Sequence, residues 1–214
     1  MKDTNRPVGA IFSVALLGPV LFVVTAFVLG AIEPDYSPVR NTISELALGS
    51  HGVVQTVNFA FCGILIAGLG VTLWRVGPPA FRGARYAAAA ITLMGAVLLL
   101  SAFIATDPLH SANPTVEGTV HNGIFLIGML GMISAQLVVG VSNLRSTYGI
   151  YSVLSGIASF VGLAGVIGSA NSSGLAQRVL VVLVMLWMTL AALRGEALRR
   201  ITVPGSASAP AAPL

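Results

Sequence analysis

Residues 53–74 read VVQTVNFAFCGILIAGLGVTLW, 22 residues without one charged side chain. A helix of about 20 apolar residues spans the hydrocarbon core of a bilayer. Only helices and closed barrels satisfy their backbone hydrogen bonds there, and an unbroken apolar run excludes the alternation of a barrel strand. The stretch therefore reads as a membrane-spanning helix. His51, Gln55, Asn58 and Cys62 follow at spacings of four, three and four, which puts all four on one helical face. Polar side chains facing lipid are costly, so this stripe should face the interior of a helix bundle. It would serve there as interhelical hydrogen bonds or as the wall of a polar cavity.

The rest of the chain repeats the pattern. Its 214 residues are 56% hydrophobic and 8% charged, with a mean hydropathy of +0.91. A soluble domain carries about a quarter charged residues, so water cannot be the solvent for most of this surface. Six apolar runs fall at about 9–32, 53–74, 85–106, 119–141, 148–169 and 175–193. They predict an all-α integral membrane protein, a six-transmembrane-helix bundle over residues 9–195. A short N-terminus (1–8) precedes it and a tail (196–214) follows, with the Pro/Ala/Ser composition of a disordered end. The first run follows Lys2 and Arg6, as a signal peptide would, but it exceeds an h-region of about 7–15 residues. It is read as a retained helix. The single cysteine, Cys62, excludes an intramolecular disulfide and any cysteine-based metal cluster.

Basic residues in short connections set orientation. With the N-terminus inside, nine of the eleven basic residues collect on the cytoplasmic side, leaving only Arg40 and Arg178 outside. Both termini are then cytoplasmic, and the expected location is the plasma (inner) membrane, multi-pass. Glu33, Asp35, Glu45, Asp107 and Glu117 fall outside with all three histidines, His51, His110 and His121. The net charge of +4 is explained by topology and anionic lipid head groups, so no nucleic-acid partner is expected.

The chemistry-bearing residues thus gather at the extracytoplasmic mouth. In the first outer connection, Thr42-Ile43-Ser44-Glu45 has the spacing of a capping box. A short helix follows there, lying on the membrane surface or tucked into the bundle mouth. Glu45 is then a cap or a pocket carboxylate beside Ser44. In the second, Asp107-Pro108 closes the third helix. Asn113-Pro114 can open the fourth, with Asn113 as cap. Asp107 stands where the helix dipole and partial desolvation both disfavour an anion; a nearby His121 or Arg40 would counter that. A carboxyl tuned toward neutrality beside a proton-exchanging partner is what acid–base catalysis needs. His121 and Asn122 sit where the fourth helix enters the membrane. Gly156, Gly162, Gly165 and Gly168 predict close packing of the fifth helix, and the nearly apolar sixth offers no chemistry.

Tyr36-Ser37-Pro38, Ser44-Glu45-Leu46, Asp107-Pro108 and Gly118-x-x-His121, in that order, resemble the motifs of a bacterial and archaeal membrane family known as domain of unknown function 998. The likeness covers about residues 8–195. It implies membrane topology and marks Ser44, Glu45, Asp107 and His121 as site-like positions; it supplies no reaction. The Ser, Asp and His arrangement is also loosely similar to membrane hydrolases of the ceramidase and progestin-receptor superfamily. Their seventh helix and its His-x-x-x-His have no counterpart here.

These residues predict an enzyme acting on a membrane lipid or isoprenoid-like molecule. Asp107, His121, Ser44 and Glu45 are the catalytic candidates. Arg40, Tyr36, His51, Gln55, Asn58 and Asn122 are the candidates for binding substrate. Hydrolysis would use Ser44 as nucleophile and His121 as base; a proton-initiated isomerisation or cyclisation would use a carboxylic acid. A non-enzymatic sensor, lipid-binding or accessory protein is the alternative, with a small-molecule transporter third. No cofactor is expected. Three histidines with carboxylates could hold Zn²⁺, but none of their spacings is a metal motif.

Overall fold

The structure, a computed structural model, describes residues 12–77 and 81–202. The expected N-terminal segment 1–8 and the tail beyond residue 202 lie outside the described residues. Six helices make up most of the described residues: α1 (Leu17–Ile32), α2 (Gly52–Val76), α3 (Ala84–Ser101), α4 (Val116–Ser142), α5 (Thr147–Gly168) and α6 (Ser173–Thr202). With α1 counted from Phe12, all six are long and apolar enough to cross a membrane. A single 3₁₀ turn, Ser44–Leu48, interrupts the α1–α2 connection. There is no strand among the described residues.

Sequential helices pack side by side, the closest pair being α2 with α3, and α6 touches each of the other five. Leu180, Val184, Trp187, Met188, Ala191 and Ala192 are fully buried on the face of α6 turned to the bundle, while Val179, Leu186 and Leu193 on the other face are about half exposed. The helix reads as nearly uniform hydrocarbon because helices cover one face and lipid suits the other. The outer faces of the bundle are equally apolar: Val53, Phe61, Ile64, Leu154, Phe160 and Val161 are each more than half exposed. A soluble monomer rarely shows more than a few hundred Å² of continuous apolar surface; lipid is the solvent that suits this one.

The tightest packing lies between α2 and α3 rather than on α5. A Cβ at Gly63 or Gly95 would run into the facing backbone, of Leu99 and of Ala67 respectively. On α5, Gly162 and Gly165 approach Leu180 and Ala176 of α6, whereas Gly168 meets open space.

Helix ends depart from the sequence expectation at three places, and two of them shape the site. α3 stops at Ser101, not near residue 106. Its last turn tightens as Ala102 and Phe103 donate to Leu99 and Leu100, the usual way a terminus satisfies orphan carbonyls. The Ile104 carbonyl is thereby outside the helix and free to accept. α4 opens with Thr115 as cap, its hydroxyl accepting from the Gly118 amide at 3.0 Å, in place of Asn113. Asp107 causes the shift: its Oδ2 accepts from the Thr115 amide at 2.5 Å and hydroxyl at 3.0 Å. The third departure is that α6 runs on to Thr202, supported by a bidentate Arg199–Glu196 pair at 2.7 and 2.8 Å, so residues 196–202 of the expected tail are helical.

Candidate functional site

The site lies at the end of the bundle where the α1–α2 and α3–α4 connections meet. The 3₁₀ turn is drawn into the bundle by two fully apolar anchors, Ile43 and Leu46, which are 2% and 1% exposed. From α6, Gln177 fixes it further, its Oε1 accepting from the Ile43 amide at 2.6 Å. Ser44, the first residue of the turn, is consequently buried and points inward. The Thr42–Glu45 capping box forms by half. Glu45 Oε1 reaches back to the Thr42 amide (3.1 Å), but the Thr42 hydroxyl donates to that carboxylate (3.0 Å) instead of accepting from the Glu45 amide.

His121 arrives from the second turn of α4 and is 2% exposed. Its Nδ1 lies 2.9 Å from the Ile104 carbonyl and its Nε2 lies 3.1 Å from Ser44 Oγ. A carbonyl can only accept, so Nδ1 carries the proton. In the neutral ring Nε2 is then a lone pair, and the Ser44 hydroxyl donates to it. The Phe59 ring stands edge-on to the imidazole, 6.3 Å between centroids. Hydroxyl, imidazole and an orienting acceptor thus line up as nucleophile, base and positioning group do in covalent catalysis, with a backbone carbonyl in the third place.

Two cavities flank this pair. A small one of about 20 Å³ is walled by Phe22, Phe59, Met94, Ser101, Ser44 and His121, and one water molecule needs about 10–15 Å³ on this measure. A larger one of about 290 Å³ runs between α4 and α5 and also reaches Ser44, Gln177 and Asn122.

The other candidates sit as follows. Asp107 is half-buried and holds Thr115, while His121 has both ring nitrogens engaged elsewhere. The expected Asp107–His121 hydrogen-bonded pair is therefore not formed. Geometry at the start of α4 is the reason: a Cβ at Gly118 would collide with the Asp107 carboxylate, so glycine lets that carboxylate close over the helix N-terminus, where the dipole favours an anion. Glu45 caps its own turn and accepts from Asn41 Nδ2 at 2.8 Å. Neither carboxylate lines either cavity. Arg40 is exposed; its amide donates to the Ser37 carbonyl at 3.0 Å and its carbonyl accepts from the Ser173 hydroxyl at 2.7 Å. His110 is exposed.

The α2 stripe faces inward and satisfies itself. Cys62 Sγ donates to Asn58 Oδ1, and Asn58 Nδ2 donates to Gln55 Oε1 and to the Phe22 carbonyl, at 3.2–3.3 Å. Gln55 Nε2 alone is buried without a partner. None of the three lines the cavities beside Ser44. His51 stands apart at the rim, 2.8 Å from Glu33. The Glu33 carboxylate also accepts from the His51 amide and from the Ser50 hydroxyl, at 3.1 and 2.8 Å. Burial raises its pKa, but those donors from Ser50 and His51 outweigh it and bring it down to about 2.

Two residues not singled out as site candidates, Arg178 and Gln177, hold this end together with Tyr36, a binding candidate that lines neither cavity. Arg178 of α6 is 5% exposed. Its Nη1 donates to the carbonyls of Pro38, Asn41 and Gly174 at 2.7–3.1 Å, and its Nη2 donates to the Tyr36 hydroxyl at 2.6 Å. Tyr36 passes its own proton to the Asn41 and Thr42 carbonyls at 3.0 and 2.7 Å. Burial pushes the Tyr36 phenol above its ordinary pKa, against the pull of Arg178. The available signal was an exception: Arg178 was one of two basic residues that broke the charge asymmetry. Gln177 had no signal of its own.

Among the described residues, no three of His, Cys, Asp and Glu converge as a metal would need. Helix number, apolar exterior and inward polar end define a multi-pass membrane-type helical protein. The chain belongs to the family described as Protein of unknown function (DUF998), whose model matches residues 16–194. No curated protein and no solved structure matches it.

Proposed function

We propose that the chain is a membrane-embedded hydrolase in which Ser44 is the nucleophile and His121 the general base, acting on a carbonyl group of a lipid-like substrate. The observation carrying this reading is the buried Ser44 Oγ–His121 Nε2 contact of 3.1 Å with the tautomer set by Ile104. As Ser44 Oγ bonds to the carbonyl carbon, its proton passes to Nε2 and from there to the leaving alkoxide or amine. Water then attacks the acyl-serine, giving its proton to Nε2 and releasing the acid with Ser44 regenerated. The adjoining 20 Å³ chamber has the size for that water. Gln177 supplies a donor for the developing oxyanion. Its Oε1 is held by the Ile43 amide, and the Nε2 at the other end of the same amide makes no hydrogen bond among the described residues. An oxyanion donor of this kind is worth about 3–4 kcal/mol of barrier.

A proton-initiated isomerisation has less support, because Asp107 and Glu45 are engaged as caps away from both cavities. The site is read as extracytoplasmic. Arg75, Arg82, Arg85, Arg145, Arg194 and Arg199 cluster towards the opposite end, and Arg40 and Arg178 alone share this one.

A fluorophosphonate probe tests the reading. Wild-type protein in detergent should gain one phosphonyl group on Ser44, with fluoride leaving and His121 taking the proton. Ser44→Ala and His121→Gln should abolish the adduct. A folded wild-type protein that stays unlabelled would leave the non-enzymatic alternative, a lipid-binding or accessory membrane protein.

A further inference from the structure

The 290 Å³ cavity is chemically two-ended. Ser44, Gln177, Asn122 and Thr42 stand at one end. Phe125 and Leu126 of α4, with Leu163, Val166 and Ile167 of α5 and with Leu109 and Gly123, make the remainder apolar. Leu163 and Val166 are 4% and 3% exposed and form the floor, while Leu126 and Ile167, at 36% and 64%, stand at the rim between the two helices. That rim belongs to the apolar exterior that faces lipid. Gly123 lines the same space, and a Cβ there would meet nothing within 4 Å. On the measure by which one water needs about 10–15 Å³, the space is many times that of a water molecule.

We infer that this cavity is the acyl-chain site of the hydrolase, and that the substrate is an ester or amide of one unbranched acyl chain. The chain enters from the bilayer between α4 and α5, and its carbonyl reaches Ser44. This rests on the Ser44–His121 reading for the chemistry, and on the cavity for the substrate class. A ring or a branched head would not pass between two packed helices with only side chains at the rim. A single chain matches the lining: apolar along its length, polar where the carbonyl must stop.

The test compares decanoyl and acetyl esters of the same alcohol on full-length protein in detergent, together with a decanoyl ester bearing a terminal diazirine. Wild-type protein should favour the decanoyl ester. Gly123→Phe, which fills the cavity, should lower the decanoyl-to-acetyl ratio of kcat/KM by about tenfold or more. Ile167→Trp, at the exposed rim, should lower it in the same direction and serves if the first variant does not fold. On illumination the diazirine should mark Leu163, Val166 or Ile167, with marking kept in Ser44→Ala and lost in Gly123→Phe. A ratio within twofold of wild type in both variants overturns the acyl site and leaves Ser44 chemistry standing. If neither ester is turned over, the hydrolase reading fails and photolabelling alone decides. Marks concentrated on α5 then keep a chain-binding cavity, and marks spread evenly over all lipid-facing helices remove it.

Discussion

Two side chains from distant helices reach the same connection, Arg178 from α6 and His121 from α4, and both are buried. Arg178 donates to three carbonyls and a phenol. Carbonyls only accept, so the arrangement is static: a clamp that gives loop backbone the partners it would otherwise lack. His121 gives one ring nitrogen to a carbonyl and presents the other to a hydroxyl, which can release and recover a proton. Space adjoins both His121 and Ser44 on one side and Ser44 on another. Buried polarity alone does not mark a reactive site. On the reading proposed above, a proton-mobile partner with room beside it does.

The largest expected effect separates these roles. Ser44→Ala or His121→Gln should cut turnover of a scissile ester by about 10²–10⁴-fold, the range for losing a positioned acid–base group. The unfolding temperature in detergent should hardly move. A large fall in that temperature, with turnover surviving in the folded fraction, would place His121 with Arg178 as a mere tie. Arg178→Met should do the reverse. It leaves the Pro38 carbonyl and the Tyr36 hydroxyl oxygen without their donor, while the Asn41 carbonyl keeps Tyr36, and should cost about 1–3 kcal/mol by the usual penalty for unsatisfied groups. Denaturant midpoints would show it, and an unchanged midpoint would break the clamp reading.

Thr115→Ala sharpens the comparison at the start of α4, where it removes a cap worth about 1 kcal/mol. Asp107→Asn should be milder, since an amide oxygen can still accept from Thr115, and turnover should persist; its abolition would restore Asp107 to the chemistry. The smallest effect concerns the rim. Glu33 has its pKa lowered from 4.5 to about 2 by donors that exist only in the fold. Its stabilising contribution is therefore present above about pH 4.5 and is lost as pH falls toward 2. Glu33→Gln should lower the unfolding temperature slightly at neutral pH and make no difference near pH 2. A gap that widens in acid would contradict this.

Much of the site was visible in the sequence, but not its pairing. Ser44 and His121 could be singled out because polar residues at the mouth of apolar helices are conspicuous. Asp107 was equally conspicuous, yet its partner is Thr115, eight residues away, because Gly118 lets the carboxylate settle over the start of α4. Of the α2 stripe, Gln55, Asn58 and Cys62 lie inside as their spacing predicts, while His51 at the helix start is exposed. Whether it lined a cavity depended on whether its members could bond one another, and apart from Gln55 Nε2 they do.

Composition and hydropathy by themselves determined six membrane-length helices, since burial of backbone polar groups in lipid permits little else for such runs. They also determined which end carries the titratable groups. Tertiary structure alone decided that Ser44 meets His121 across 77 positions, that Ile104 is free to orient the ring, and that Gln177 and Arg178 anchor the turn. Each depends on where a helix stops to within one turn and on how neighbouring helices slide past one another. A one-turn difference moves a side chain by about 5 Å, more than the reach of a hydrogen bond, and no local pattern in the chain records it.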